Sequence, residues 1–110
     1  MVQAKTQLFD KELNHAARLF RALSHPARLR ILKFLAETNT SITGDISDEL
    51  PLGRTTVNQH LAELKDADLI TGHIEGVKTR YCLNTEKIVD MKSTLEEFIA
   101  SLDLNEYQCK

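Results

Sequence analysis

The sequence predicts a mainly α-helical domain with one small β-hairpin, with about five helices and two strands. Apolar residues recur at three- and four-residue intervals over most of the chain, which is typical of amphipathic helices. After the midpoint, strand-forming residues surround a glycine instead. The length of 110 residues suits a single domain over 1–110, and 42% hydrophobic residues supply a core.

The first helix is predicted over 10–23, with Asp10 as its N-cap. Ser24-His25-Pro26 ends this helix, because proline is disfavoured inside a helix but accepted in a first turn. A second helix follows and ends in the polar run 37–41. The apolar positions that predict these two helices are Leu13, Ala16, Ala17, Phe20 and Leu23, then Leu29, Ile31, Leu32, Phe34 and Leu35.

A third, short helix is expected to open at Ile42-Thr43, with Thr43 as its cap, and to run to Leu50. The turn at 51–53 separates it from a fourth helix over 54–67. Two helices joined by a three-residue turn are typical of a helix-turn-helix, whose second helix enters the major groove of DNA. The inner stripe of the fourth helix is Val57, Leu61 and Leu64.

The other side of the fourth helix, which also carries Ala62, bears short polar side chains that suit base reading. Amide and hydroxyl groups pair with base edges, and Arg54 can reach a guanine or a phosphate. Thr56 and His60 flank the apolar stripe, and each either contacts the DNA backbone or packs. The candidate DNA contacts on this helix are Arg54, Thr55, Thr56, Asn58, Gln59 and His60.

Two strands are predicted over 69–75 and 78–84, around the turn at Gly76-Val77. Lys78 and Arg80 are two residues apart and therefore share one face of a strand. There they suit contact with phosphate or with the minor groove, although solvated strand charges are the alternative. The hairpin is thus expected to act as a basic wing beside the reading helix.

Thr85 is expected to cap the last helix, which extends to about Leu102. Its apolar stripe is longer than one small core needs, so we expect this helix and the first, over 85–102 and 10–23, to form a homodimer interface. The alternative is packing on its own domain alone. His15 is interpreted as a dimer-surface residue. The stripe consists of Ile88, Met91, Leu95, Phe98, Ile99 and Leu102.

Composition excludes several classes of protein. The net charge of −2 argues mildly against a non-specific nucleic-acid coat protein, yet 18–33 carries five basic and no acidic residues. No apolar run approaches the roughly 20 residues of a membrane span, and 1–10 has no signal pattern, so we expect a cytoplasmic location. No glycine-rich phosphate loop is present and the histidines are scattered, so no enzyme and no cofactor are expected.

Four segments together resemble a known family. Residues 23–32 (LSHPARLRIL), 54–61 (RTTVNQHL) and 64–70 (LKDADLI) are similar to parts of ArsR-type regulators, and 76–83 resembles their wing. The resemblance covers about 10–102. It implies a homodimeric repressor whose two reading helices bind half-sites of a palindromic DNA operator about one helical turn apart.

Many members of that family release DNA when they bind a soft metal through Cys, His and carboxylates. Ile42 and Gly44 stand where one version has Cys-x-Cys, so that site is missing. Another version uses Asp-x-His and a further pair on the last helix, but a lysine ammonium has no lone pair to donate. We therefore expect no metal. The residues at the second site are Asp90, Lys92, Asp103 and Glu106.

Two alternative functions stay open. A thiol, redox or metal signal acting through Cys109 or Cys82 is one, although an inert buried thiol is the simpler interpretation of Cys82. The other is a winged helix that mediates protein association without DNA, for which the acidic balance leaves room. The polar outward face of 54–62 argues against it, since a protein-binding version should carry larger apolar side chains there.

Overall fold

The computed structural model describes residues 8–38, 42–43 and 50–109. It confirms a mostly helical domain with an antiparallel hairpin, and the described residues form four helices rather than about five. The predicted third helix falls largely on 44–49, outside the described residues. The elements are α1 (Lys11–Leu23), α2 (Pro26–Thr38), β1 (Ile42–Thr43), α3 (Arg54–Asp66), β2 (Ile70–Glu75), β3 (Lys78–Leu83) and α4 (Thr85–Ser101).

The sheet has three strands in the order β1-β3-β2, all antiparallel. Ile42 and Thr43, expected to open a helix, instead pair with Tyr81 and Arg80 on the outer edge of β3. Both residues are β-branched and fit a pleated surface, and the edge of β3 offers unpaired backbone groups. The hairpin therefore gains a third strand that the sequence pattern did not reveal, while β2 contacts α3 and β3 contacts α2.

The N-cap of α1 is the predicted residue, whereas the N-cap of α4 differs from the prediction. Asp10 caps α1, where its Oδ1 accepts a 2.8 Å hydrogen bond from the Leu13 backbone N–H. For α4 the cap is Asn84 rather than Thr85, with the Lys87 N–H donating to Asn84 Oδ1 at 3.5 Å. Asn84 has the extended backbone that an N-cap requires, which makes Thr85 the first helical residue.

The core lies where α1, α2 and α3 meet the start of β2. Its most deeply buried side chains are Ile31, Val57, Leu64 and Leu69. The predicted inner stripe of α3 is confirmed, since Val57, Leu61 and Leu64 are all buried. By contrast, Leu29 is about half exposed, so the inner stripe of α2 is narrower than expected.

α4 packs across α1 but buries none of its residues fully. The contact includes an edge-to-face pair of Phe20 and Phe98, with ring centroids 5.3 Å apart. Beside it, His15 Nε2 lies 3.0 Å from Asp90 Oδ2. The amphipathic stripe of α4 is thus only partly satisfied within one chain. No helix within the described ranges combines the length and apolar character that crossing a membrane requires.

Candidate nucleic-acid interface

The outward face of α3 presents a row of exposed polar side chains. They occupy the first two turns, after Gly53, which caps the helix without a side chain and has open space around it. Helix phase sets this arrangement, because the buried stripe at Val57, Leu61 and Leu64 fixes the opposite side. The structure brings together on this face Arg54, Thr55, Thr56, Asn58 and Gln59, as well as Ala62.

His60 is the exception among the candidate contacts. It is only 7% exposed and lies on the inner side of α3. Of the two alternatives, His60 therefore packs within the domain, and its burial excludes a contact with DNA. Its ring lies 4.1 Å from that of His25, and Arg28 Nε donates to His60 Nδ1 at 3.2 Å. The sequence pattern left this open because His60 sits at the margin of the apolar stripe.

The wing is less basic than the sequence indicated. Arg80 Nη1 lies 3.0 Å from Glu75 Oε1, and both side chains are about half exposed. Glu75 pairs in register with Lys78, and Arg80 is its diagonal neighbour on β3, a position within reach of a long side chain. The partner of Arg80 was missed, although the hairpin register around Gly76-Val77 was sufficient to find it.

The wing tip is apolar, which was not predicted. Ile74 and Val77 are almost completely exposed. Gly76 turns the chain between them at a φ of +63°, a left-handed conformation that costs side-chain-bearing residues energy. The tip therefore offers apolar surface, while the charged pair lies at the base of the turn.

A polar cleft of about 340 Å³ separates α3 from the wing. Asn58 and Ala62 line it from the helix, and Thr79 and Tyr81 line it from β3. Gly72 lies next to two of the lining side chains, because a Cβ there would be 3.3 Å from Tyr81 Cε1 and 3.5 Å from Lys65 Nζ. Lys65 also lines the cleft and lies on the same face of α3 as Asn58, two turns further along the helix. The sequence pattern had not indicated Lys65 as a site residue.

Two of the four residues at the second expected metal position make other contacts. Asp90 pairs with His15, and Asp103 Oδ1 accepts from the Asn105 backbone N–H at 3.0 Å. Across the described residues, no three His, Cys, Asp or Glu side chains are grouped to hold a metal ion. The expectation that no metal is bound stays a prediction.

Neither Cys82 nor Cys109 forms a disulfide within the part of the chain that the structure describes. Cys82 pairs with Thr71 across the sheet and is only half-buried, so it is less enclosed than predicted. Cys109 is exposed near the end of the described chain.

An apolar surface runs along α1 and α4, away from the outward face of α3. A groove of about 430 Å³ is lined by Phe9, Leu13, Ala17, Phe20 and Phe98 among others. Contiguous apolar surface of this kind marks interaction sites in soluble proteins. The large apolar side chains that are exposed in or next to these two helices are Leu8, Phe9, Leu13, Val89, Ile99, Leu102, Leu104 and Tyr107.

Known proteins that are similar to this chain include helix-turn-helix transcriptional regulators. A family profile described as a helix-turn-helix domain matches residues 23–73. An uncharacterized HTH-type transcriptional regulator of Methanocaldococcus jannaschii is 33% identical over 82 residues, which is 74% of this chain and 92% of that protein. The transcriptional repressor SdpR of Bacillus subtilis is 32% identical over 81 residues, 74% of this chain and 89% of the repressor.

The fold is also shared with solved structures. An ArsR-like transcriptional regulator from Rhodococcus sp. RHA1 superimposes with a TM-score of 0.65 at 26% identity, covering 81% of this chain and 83% of the regulator.

Proposed function

Because the chain belongs to the ArsR family of winged helix-turn-helix transcriptional regulators, we propose that it is a homodimeric repressor of a palindromic DNA operator. The family are DNA-binding regulators and not enzymes. The single observation that carries the proposal is the exposed polar face of α3 opposite the buried stripe of Val57, Leu61 and Leu64. Repression is supported by the similarity to SdpR, a transcriptional repressor. Binding to the chromosome places the protein in the cytoplasm.

In the proposed complex, α3 lies in the major groove and its first two turns read bases. Asn58 and Gln59 offer donor–acceptor pairs that match adenine, while Arg54 serves a guanine or a phosphate. Thr55 and Thr56 supply hydroxyl groups to base edges or backbone. His60 is not part of this contact set, because it is buried.

The wing and the cleft beside it are proposed to hold the DNA backbone. A strand of phosphates separates the major groove from the minor groove, so it passes between a reading helix and a wing. On the wing side, Lys78 and Arg80 are proposed to contact phosphates. We add Lys65 to the proposed phosphate contacts, because it lines the cleft. The Glu75–Arg80 ion pair lowers the net attraction that the wing contributes.

The dimer is proposed to form through the α1–α4 surface. Ile99 and Leu102 are more than half exposed in one chain, and the groove beside Phe98 is almost wholly apolar. Burying such surface against a second copy removes it from water, which is the main favourable term in association. Two-fold symmetry of that contact gives two copies of α3 and hence a palindromic site.

We propose that this repressor does not use the two metal positions of its relatives. Ile42 and Gly44 supply no thiolate, and Lys92 supplies no imidazole. Metal addition is therefore expected to leave DNA affinity unchanged, whereas cadmium or zinc binding that weakens DNA affinity would contradict this part of the proposal.

The test is selection of duplexes from a random-sequence pool, followed by binding of the selected duplex across a salt series. A palindromic consensus, two chains per duplex and an affinity that falls steeply with salt are expected, because phosphate contacts release counterions. Failure to bind any duplex at low salt would overturn the proposal and favour a winged helix that binds protein. Selection of a non-palindromic site by a single chain would overturn the dimer.

A further inference from the structure

Three helices meet at a cluster of three side chains, His25, Arg28 and His60. Arg28 donates from Nη1 to the carbonyls of Arg21 (3.1 Å) and Ala22 (3.4 Å) at the end of α1. From Nε it donates to His60 Nδ1 on α3. Arg28 itself lies in α2, so one guanidinium joins the reading helix to both helices behind it.

The hydrogen bonds fix the protonation of His60. A guanidinium is always charged and only donates, so His60 Nδ1 must be the acceptor and must carry no proton. The neutral ring then holds its proton on Nε2, and this buried atom has no hydrogen-bond partner among the residues that the structure describes. Neither nitrogen is available to a metal, because one accepts from Arg28 and the other is protonated.

The surroundings of His60 oppose a second proton. His25 and Arg28 face it from the start of α2, and Glu63 faces it from α3 itself. The pKa of His60 lies below its usual 6.5, first because of burial, then because of His25 and then because of Arg28. The carboxylate of Glu63 acts in the opposite direction and raises the pKa. A proton added at Nδ1 would remove the bond from Arg28 and place two like charges about 3.2 Å apart.

We propose that His60 is a positioning residue for DNA binding: together with Arg28 it holds α3 docked on α2, and a proton on Nδ1 releases the reading helix. The inference rests on the proposed function, since it takes α3 as the element that reads DNA. The direction of the pH dependence follows from the linkage between docking and proton binding. The released state binds the extra proton more readily than the docked state, so docking is complete above pH 6.5 and weakens as the pH falls below it.

The docking itself is tested by NMR titration of the wild-type protein, with no DNA present. The His60 imidazole signal should titrate with a midpoint below 6.5, and the amide signals of α2 and α3 should shift with the same midpoint. Titration of His60 without any shift in those amides would overturn the proposal, whatever the protein does with DNA.

The effect on DNA is tested with the selected duplex at constant ionic strength, each protein being compared with its own affinity at pH 7.5. Wild-type affinity should fall about three- to tenfold by pH 5.5, within the tenfold per pH unit that one proton per chain allows. His60→Gln should abolish this fall, because the amide oxygen accepts from Arg28 but does not titrate. Glu37→Gln, at an exposed residue of α2 outside the cluster, is the control and should keep it.

An equal acid-dependent fall in His60→Gln and wild type would overturn the proposal. So would a wild-type affinity that rises in acid, as exposed histidines alone would produce. If His60→Gln does not fold, Glu63→Gln replaces it. Loss of that carboxylate should move both the His60 midpoint and the loss of affinity to lower pH, and no movement in either would overturn the proposal. A wild-type protein that selects no duplex would contradict the proposed function and leave the NMR test of docking intact.

Discussion

Neighbouring residues on α3 have opposite roles because the helix turns about 100° per residue. Asn58 and Gln59 are exposed, while His60, the next residue, is buried against His25. A polar side chain in this stretch therefore either faces outward or packs between α3 and the rest of the domain. Substitutions at the two kinds of position should have different signatures.

Asn58→Ala should weaken binding to the selected duplex by about 1–3 kcal/mol and relax the preference at one base pair, because a bidentate base contact is lost. Binding curves on the selected and a scrambled duplex measure both effects. Gln108→Ala removes an exposed amide near the end of the described chain and should change neither. An equal loss on both duplexes would show that Asn58 contacts only the backbone.

Glu75→Gln should strengthen binding to all duplexes, since it frees Arg80 and removes a carboxylate from the wing. An exposed ion pair contributes about 0.2–1 kcal/mol, so a gain of up to about fivefold is expected, with a steeper salt dependence. The control is Glu37→Gln, which breaks an exposed pair with Lys33 on α2. Unchanged affinity in Glu75→Gln would mean that Arg80 does not meet phosphate.

At the scale of elements, the wing depends on its turn and on its third strand. The hairpin reverses at Gly76 in a left-handed conformation, while β1 covers the outer edge of β3. Covering an edge also protects it from pairing with other chains. The turn therefore sets where the apolar tip points, and β1 extends the sheet along the outer edge of β3.

Gly76→Ala should destabilise the fold by about 1 kcal/mol, because the left-handed conformation crowds a Cβ. No atom lies within 4 Å of the added carbon, so the cost comes from the backbone alone. Gly76→Asn should cost clearly less, since asparagine tolerates this conformation. Chemical denaturation at one fixed protein concentration measures both, and equal costs would contradict the explanation.

At the scale of the whole molecule, the outward face of α3 and the α1–α4 surface are separate surfaces. The first is polar and exposed, and the second carries most of the exposed apolar side chains. Charge follows the same division, since acidic residues outnumber lysines from Glu86 onward. In the proposed dimer, each copy needs its partner to place two copies of α3 on one duplex.

Ile99→Glu should convert the dimer to a monomer, because it places a charge in the proposed apolar interface. Affinity for the palindromic duplex should fall about 100-fold or more, since the second half-site no longer benefits from a linked partner. Sedimentation measures the mass and circular dichroism the helix content. The control is Ile74→Glu, which makes the same exchange on the wing and should leave the dimer intact. If the Ile99→Glu variant is still a dimer, the interface lies elsewhere.

The sequence by itself determined the four helices that the structure describes, the hairpin and the apolar stripe of α3. Periodicity alone identifies a buried stripe, and Val57, Leu61 and Leu64 follow it. The cap at Asp10 and the turn at Gly76 were equally readable, because they depend on residues close together in the chain. These features need no knowledge of what packs against them.

Only the tertiary structure decided the contacts between distant segments. It placed His60 against His25, paired Ile42 with Tyr81 and brought His15 to Asp90. These partners are 35 to 75 residues apart, and a side chain at the margin of a stripe packs or faces solvent according to its neighbour. The physical reason is that local pattern sets the direction of a side chain, whereas the fold sets what it meets there.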